Sequence, residues 1–320
     1  MAKKTMIHVS QDSHNDLEGI ANSVSLAKRV VVLLGAGVST AAGIPDFRSP
    51  GGLYAKGMRF EAEDLTDPKK RAQTVKDLLE LRQTAMKALP TKTHGLIRML
   101  REGGQLQRCY AQNFDMLEQK AGLSTDIRKS NVDCVCLHGS LRHLRCPLCC
   151  ATFDWSKHEQ SICAGSDLPC PDCSKKCEER KKQGKRSITI GHLRPDIVFS
   201  GEEHPQGEDV EELIEKDIAA CPDLFLIIGA SLTHSGPLNL ARKFARAVRA
   251  RGGNVVYVSL LEPSPSRWRS LVDYLVLWEC DSWVRDLESR KPEVNIEDGA
   301  CKGHWSNNVG MTPNNPIVLD

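Results

Sequence analysis

The strongest constraint on this chain is a set of short, nearly unbroken apolar runs that each end in small or polar residues. The first is Arg29-Val-Val-Val-Leu-Leu34, followed at once by Gly35-Ala-Gly37. The others are Arg108–Ala111, Cys134–Leu137, Ile197–Phe199, Leu224–Ile228, Val255–Val258 and Tyr274–Trp278. Unbroken Val/Ile/Leu runs mark strands covered on both faces, as parallel sheets require; a half-exposed strand would alternate. Helical spacing lies between some of them. Leu240, Phe244 and Val248 recur after the cap candidate Ser235, and Gly252-Gly253 closes that segment. Strand–helix–strand alternation predicts an α/β fold built on a doubly wound parallel sheet.

Open α/β sheets bind ligands at the C-terminal ends of their strands. At those ends stand Gly35-Ala-Gly37, Gln112-Asn-Phe-Asp115, His138-Gly-Ser140, Ser200-Gly-Glu202, Gly229-Ala-Ser231, Ser259 and Glu279-Cys-Asp281. Any one of these is ordinary loop chemistry. Together they favour a site.

The first turn is not a hydride-transfer fingerprint. G-x-G-x-x-G needs a third glycine where Thr40 stands; the next glycine is Gly43. The acids Glu61, Glu63 and Asp64 lie near the expected distance for a ribose contact but follow no strand. Gly35 and Gly37 still allow a phosphate to approach the backbone, or they serve only the turn itself. Pro45 then stops any helix begun at Val38 and throws Asp46, Phe47 and Arg48 into a loop. An arginine and an aromatic on a flap beside a nucleotide suggest chemistry on the nucleotide itself.

The chain has 13 cysteines, an odd number, and four of them form two C-x2-C knuckles: Cys146-Pro-Leu-Cys149 and Cys170-Pro-Asp-Cys173. That is the spacing of a four-cysteine zinc site, closed to substrate and therefore structural. Cys150, Cys163 and Cys177 are nearby alternatives as ligands. The basic stretch Arg180–Arg186 reads as a solvated face, a localisation signal or a contact for an anionic partner.

With 320 residues the length prior is about two domains. A net charge of +2 gives no global field for nucleic acid or membrane binding. No apolar run approaches the roughly 20 residues of a membrane span, and Met1–His8 lacks the apolar core of a secretion signal. An intracellular setting is expected. Residues 291–320, rich in Asn, Pro, Gly and charge, are expected to form a flexible tail.

Taken in order, Gly35–Ser49, Gln112–Asp115, His138-Gly139, the two cysteine knuckles, Pro195–Glu202 and Gly229–Leu232 resemble the sirtuins, NAD-dependent protein lysine deacylases. The resemblance covers about residues 20–290, and Leu137–Leu141 with Ser235-Gly236 is most similar to fungal nuclear members that deacetylate histones. It implies a Rossmann-like NAD-binding domain over 20–50, 106–139 and 196–290. It also implies a small domain over 51–105 (helical) and 140–195 (a zinc ribbon). In such enzymes NAD is consumed. The acyl oxygen displaces nicotinamide, and a histidine base then directs a ribose hydroxyl onto the resulting imidate.

Residue by residue, the resemblance makes His138 the base, and Asn113 and Asp115 the nicotinamide-pocket residues. Asp46, Phe47, Arg48 and Tyr54 become the cofactor loop, with Phe47 shielding the ribose. Gly35, Ala36, Gly37, Ser39, Thr40, Gly43, Ile44, Gln112, Gly229, Ala230, Ser231, Ser259 and Cys280 become further NAD contacts. Val198 and Phe199 would line the acyl-lysine tunnel. The substrate would lie as an added strand between Gly201-Glu202 and the turn near Ser235. His138 on its own also reads as a structural histidine, and His94 as a helix-start residue. Glu202, Glu203, Glu208, Asp209, Glu211 and Glu212 read as attractors of a basic histone segment or as a solvated face.

The chain departs from the pattern in several places. Ala111 and Phe114 replace Thr and Ile, Ser200 replaces a second Phe, Ala230 replaces Thr, and Ser259 replaces Asn. Leu79 stands where an acid-acyl specialist pairs Tyr with Arg82, so acetyl is the expected acyl group. The implied partners are an acetylated protein, foremost histone, and chromatin-associated proteins, with no membrane or nucleic-acid contact. The implied location is the nucleus, or else the cytoplasm. ADP-ribosyl transfer to protein shares the first step and stays open beside deacetylation, as does a silent NAD-sensing chromatin module.

Overall fold

The computed structural model describes residues 6–262, 271–291 and 296. Apart from Lys291 and Ile296, the expected tail lies outside the described residues. The strands in chain order are β1 (Ile7–Val9), β2 (Val30–Leu34), β3 (Leu106–Ala111), β4 (Cys134–Cys136), β5 (Gly139–Arg145), β6 (Thr152–Phe153), β7 (Arg194–Ile197), β8 (Leu224–Ile228), β9 (Asn254–Val258) and β10 (Tyr274–Val276). Seven make one parallel sheet, ordered β1-β10-β9-β8-β2-β3-β4. From its centre β2-β3-β4 runs one way and β8-β9-β10 the other, the two wound halves of a dinucleotide fold.

Alternate residues of each central strand feed opposite layers. Val30, Val32, Leu34, Leu224, Leu226 and Ile228 pack with helices His14–Leu26, Lys92–Glu102 and Cys280–Arg290. Val31, Leu33, Phe225 and Ile227 pack with Gly207–Ala219 and Ser235–Ala250. Both faces are covered, which is why the two central strands, Val30–Leu34 and Leu224–Ile228, carry no polar residue.

One expected strand belongs elsewhere. Ile197–Phe199 is not part of the parallel sheet: β7 ends at Ile197 and pairs antiparallel with β5, in a three-stranded sheet ordered β6-β5-β7. Its apolar character serves a second core, in which Ile197 and Phe199 join Leu78, Leu141, Trp155 and the thiols Cys146, Cys170 and Cys173. The seventh parallel strand is β1, a three-residue edge strand too short to read from the sequence. Leu96, Ile97 and Leu100 pack in the large sheet's layer, so 92–102 sits with that sheet and not with the helical insertion expected over 51–105. Ser235 is the first helical residue, with His234 in the cap position.

The two halves meet between β2 and β8 with backbone against backbone. Gly35 N donates to Ile228 O and Gly37 N to Gly229 O, each at 3.0 Å. A Cβ on Gly35 would lie 2.5 Å from Ala230 Cα and Gly229 O, and one on Gly37 2.8 Å from Gly229 Cα. Gly229 itself has φ 65° and touches Val38 N and Gly37 in the same way. These glycines are therefore required by the fold, whatever binds above them.

Gly35→Ala should lower the urea midpoint by an amount equivalent to about 1–3 kcal/mol, because backbone must move to admit the methyl. Gly19→Ala, in a helix with open space around it, should be neutral or stabilising by up to about 1 kcal/mol. Equal responses of the two variants would contradict this interlock.

Candidate active site

The site is assembled from the strand ends on either side of that interlock. After β3, Gln112 N donates to Leu34 O at 3.0 Å. The next residues, Asn113 and Asp115, are buried. Asp115 Oδ1 accepts from Leu117 N at 3.0 Å, which stabilises the left-handed turn at Met116 (φ 70°) and starts helix Leu117–Lys120. Asn113 Nδ2 donates to Glu118 Oε1 at 3.2 Å.

Glu118 is a site residue the sequence reading missed. Burial, with the charge of Asp115 nearby, pushes its carboxyl up to about 8, so it is protonated at neutral pH. The buried His94 lies under it, with Nε2 3.9 Å from Glu118 Oε1. That contact is no ion pair, because burial also holds His94 below its ordinary pKa. His94 closes the start of helix Lys92–Glu102 by a capping box with Thr91, the local role expected of it. The only hint of Glu118 in the sequence was an acid three residues beyond Asp115.

His138 follows β4. Its Nδ1 lies 2.7 Å from Gln112 O. A carbonyl only accepts, so Nδ1 carries the proton and Nε2 keeps a free lone pair. Burial lowers the His138 pKa, the Gln112 bond works against that, and His234 and His204 add to the lowering. The imidazole is neutral at pH 7, the form that can accept a proton. His138 O accepts from Val198 N at 3.0 Å, so the histidine and the segment Val198–Glu202 are stitched together.

The loop after β2 folds into two short 3-10 turns, Ala36–Val38 and Thr40–Ala42, not an α-helix. Thr40 Oγ1 donates to Gly37 O, Gly43 takes the left-handed φ of 80°, and Ile44 is buried. Asp46 Oδ1 accepts from Arg48 N and Ser49 N, and Tyr54 N donates to Phe47 O. Asp46 therefore shapes the loop. Arg48 Nη2 is 3.4 Å from His234 Nε2, reaching towards the turn before Ser235.

Besides His94 Nε2, two buried polar atoms of the site have no hydrogen-bond partner among the described residues, Ser39 Oγ and Gln112 Nε2. Such orphans at a switch point fit a polar ligand that supplies the missing bonds. Opposite, Tyr257 donates to Ala230 O at 2.5 Å, and Ser231 Oγ meets Thr233 Oγ1 at 3.2 Å. Ser259 N donates to Val276 O.

Some expected roles change. The Cys280 thiol is buried in the sheet core, and burial pushes it up to about 12, so only its backbone remains for a ligand. Glu279 caps the closing helix, and Asp281 accepts from Thr93 Oγ1 at 2.6 Å; both acids are structural. Glu202 is held by Arg194 (Nη2–Oε2 2.7 Å) and accepts from Phe199 N, so its charge is already met. Glu211 pairs with Lys243. Gly201 has φ 89° and Phe199 is buried.

The sulfurs of Cys146, Cys149, Cys170 and Cys173 lie within 4.8 Å of one another. Two of the separations are 3.8 and 3.6 Å (Cys146–Cys173 and Cys149–Cys170). A tetrahedron with Zn–S bonds of about 2.3 Å has edges of about 3.8 Å. The donor set fits zinc and leaves no open position. Cys150, Cys163 and Cys177 stand outside the quartet. Gly191 lies hard against it, since a Cβ there would come 2.5 Å from Cys146 Sγ.

A doubly wound nucleotide-binding fold with a neutral histidine at its switch point and a closed four-thiolate module is the class these features define. Residues 35–235 match the Sir2 family. The "NAD-dependent histone deacetylase HST3" of Candida albicans is 34% identical over 96% of this chain and 69% of its own length. The protein of the same name from Saccharomyces cerevisiae is 36% identical over 87% of this chain and 68% of its own. Among solved structures, "Sir2-p53 peptide-NAD+" superposes with a TM-score of 0.66 at 22% identity, covering 87% of this chain and 99% of that one; this likeness concerns the fold. The chain belongs to the Sir2 family. Among the described residues, no helix is long and apolar enough to cross a membrane.

Two measurements test the site. The His138 imidazole should titrate by NMR below about 6.5, the ordinary value; a midpoint above that would contradict its burial. Gly191→Ala and the pair Cys170→Ala, Cys173→Ala should each lose the single bound zinc by elemental analysis. A metal-free but cooperatively folded double variant would remove the zinc's structural role.

Proposed function

We propose that this chain is an NAD-dependent protein lysine deacetylase that acts on acetylated histone in the nucleus and yields nicotinamide, O-acetyl-ADP-ribose and free lysine. The observation that carries the reading is the double tether of His138. One bond, to Gln112 O, fixes its tautomer; the other, from Val198 N, sets it beside the acyl-lysine segment. NAD supplies the electrophilic ribose carbon and the accepting hydroxyl. The chain supplies orientation, a base and exclusion of water.

In this reading Ser39, Gln112 and the turns at Gly35–Gly37 and Gly229–Ser231 hold the dinucleotide. Asn113, oriented by the protonated Glu118, and Asp115 hold the nicotinamide amide. His138 Nε2 takes the proton of the ribose hydroxyl, and Val198 and Phe199 line the acyl chain. The large sheet with its helices would be the NAD-binding domain, and the three-stranded sheet with the zinc module and helix Pro68–Lys87 the small one.

A neutral acyl group is supported by Arg82, whose Nε donates to Leu141 O and whose guanidinium lies 5.5 Å from the Trp155 ring centre, so that it is already engaged within the small core. Glu203, Glu208, Asp209 and Glu212 make no ion pair among the described residues and follow directly on the substrate segment. They fit a basic partner such as a histone tail. The histone-directed names of the relatives support the nuclear placement.

Incubation with NAD and acetylated histone peptides should give deacetylated peptide, nicotinamide and O-acetyl-ADP-ribose in equal amounts, and His138→Ala should lower turnover at least about 100-fold, the scale of a lost general base. ADP-ribosylated protein without deacetylation would replace this reading with transfer to another acceptor. NAD left intact would contradict both.

A further inference from the structure

Phe47 and Phe60, from the stretch between β2 and helix Pro68–Lys87, meet Phe114, from the turn after β3, in one cluster. Phe47 and Phe114 have centroids 5.9 Å apart at 81°, Phe47 and Phe60 6.4 Å at 88°, and Phe60 and Phe114 6.2 Å at 88°. Each ring stands edge-on to the other two, the favoured geometry for aromatic pairs. Tyr54 closes a further side of Phe47 at 5.5 Å.

Two of the three phenylalanines are fixed from behind by backbone. Phe114 O accepts from Leu141 N at 2.9 Å, which ties it to β5. Phe60 O accepts from Ser200 N at 2.8 Å, and Ala62 N donates to Ser200 O at 3.0 Å. Phe60 is thereby bound to the segment that follows Val198 and Phe199. Phe47 sits on the loop whose turns are local, made by Asp46 and by the Tyr54–Phe47 bond. The loop's own turns give Phe47 no such backbone tie to a strand or to the Ser200 segment, so the rings of Phe60 and Phe114 form the socket in which it sits.

We propose that Phe60 and Phe114 are positioning residues that hold Phe47 over the reacting ribose and so set the share of NAD lost to water. The proposal rests on the deacetylase reading, in which Phe47 shields the ribose once nicotinamide has left. The side reaction that the socket suppresses is defined. A water oxygen forms a bond to the anomeric carbon as the bond from that carbon to the acyl oxygen breaks. That electron pair returns to the acyl oxygen and restores the neutral amide. The water's extra proton goes to solvent. The products are ADP-ribose and lysine that is still acylated. Because Phe60 is bonded through Ser200 to the acyl-lysine segment, the substrate strand and the shield share one support.

The test is the ratio of ADP-ribose to O-acetyl-ADP-ribose in the zinc-loaded 320-residue chain, with NAD and acetyl-peptide saturating. Phe60→Leu and Phe114→Ile should each raise that ratio roughly two- to tenfold, the range that loss of an aromatic pair spans. Phe60→Tyr, which keeps the ring, should restore it. Zinc content and thermal midpoint identify any variant that has simply failed to fold, in which case Phe114→Leu replaces it. An unchanged ratio in folded variants, with only the total rate reduced, would overturn the socket. Absence of O-acetyl-ADP-ribose from the unaltered protein would instead defeat the reading on which the proposal rests.

Discussion

Everything at this site is referenced to one contact in which two turns meet without side chains between them. Gly35 and Gly37 after β2 lie so close to Gly229 and Ala230 after β8 that no Cβ fits on either glycine. The doubly wound order places these two strands side by side at the point where the chain changes direction across the sheet. A wider turn would separate the halves. A side chain would fill the groove above them. The fold and the groove therefore depend on the same glycines, for a steric reason that precedes any ligand.

From that fixed point the site is built outward in tethered steps. Gln112 is hung from Leu34, His138 from Gln112, and Val198 from His138. Each bond uses backbone at one end or both, so placement of the His138 imidazole varies little with surface side chains. Beneath this chain lies a buried layer of Asn113, Asp115, Glu118 and His94. Three titratable groups so close cannot all carry charge in a medium of low polarity. Burial resolves this by leaving Glu118 protonated and His94 neutral. Asn113 is thus oriented by a neutral carboxyl, which accepts its amide without adding a second negative charge to that of Asp115.

The fold class was legible because parallel strands buried on both faces leave an unmistakable apolar trace, and all six strands that follow β1 in the large sheet stand out as such runs. The same logic misassigned Ile197–Phe199, because burial in a small zinc-stapled core produces the same residues as burial in a sheet. It missed Ile7–Val9, because three residues carry no period. The cysteine quartet was legible from spacing alone, since ligands three positions apart on a knuckle are local in sequence. Glu118 was not, because what makes it part of the site is its desolvation, which depends on His94 and Asp115 being packed against it. Glu202 read as a free acid until Arg194 was seen beside it. Pairings made by folding are invisible to a one-dimensional reading, whereas periods and short spacings survive it.

In the proposed deacetylase, NAD would lie across the β2/β8 switch point, with its nicotinamide end towards Asn113 and Asp115 and the acyl-lysine beside His138. The measurement that tests it most directly is diffraction from crystals of His138→Ala grown with NAD and an acetyl-lysine peptide. Pyrophosphate density should lie against Gly35–Ser39 and Gly229–Ser231, with Ser39 Oγ and Gln112 Nε2 each gaining a partner. The acetyl group should lie next to Val198. Dinucleotide bound elsewhere, or peptide lying away from the Val198–Glu202 segment with those two atoms still unpaired, would contradict it.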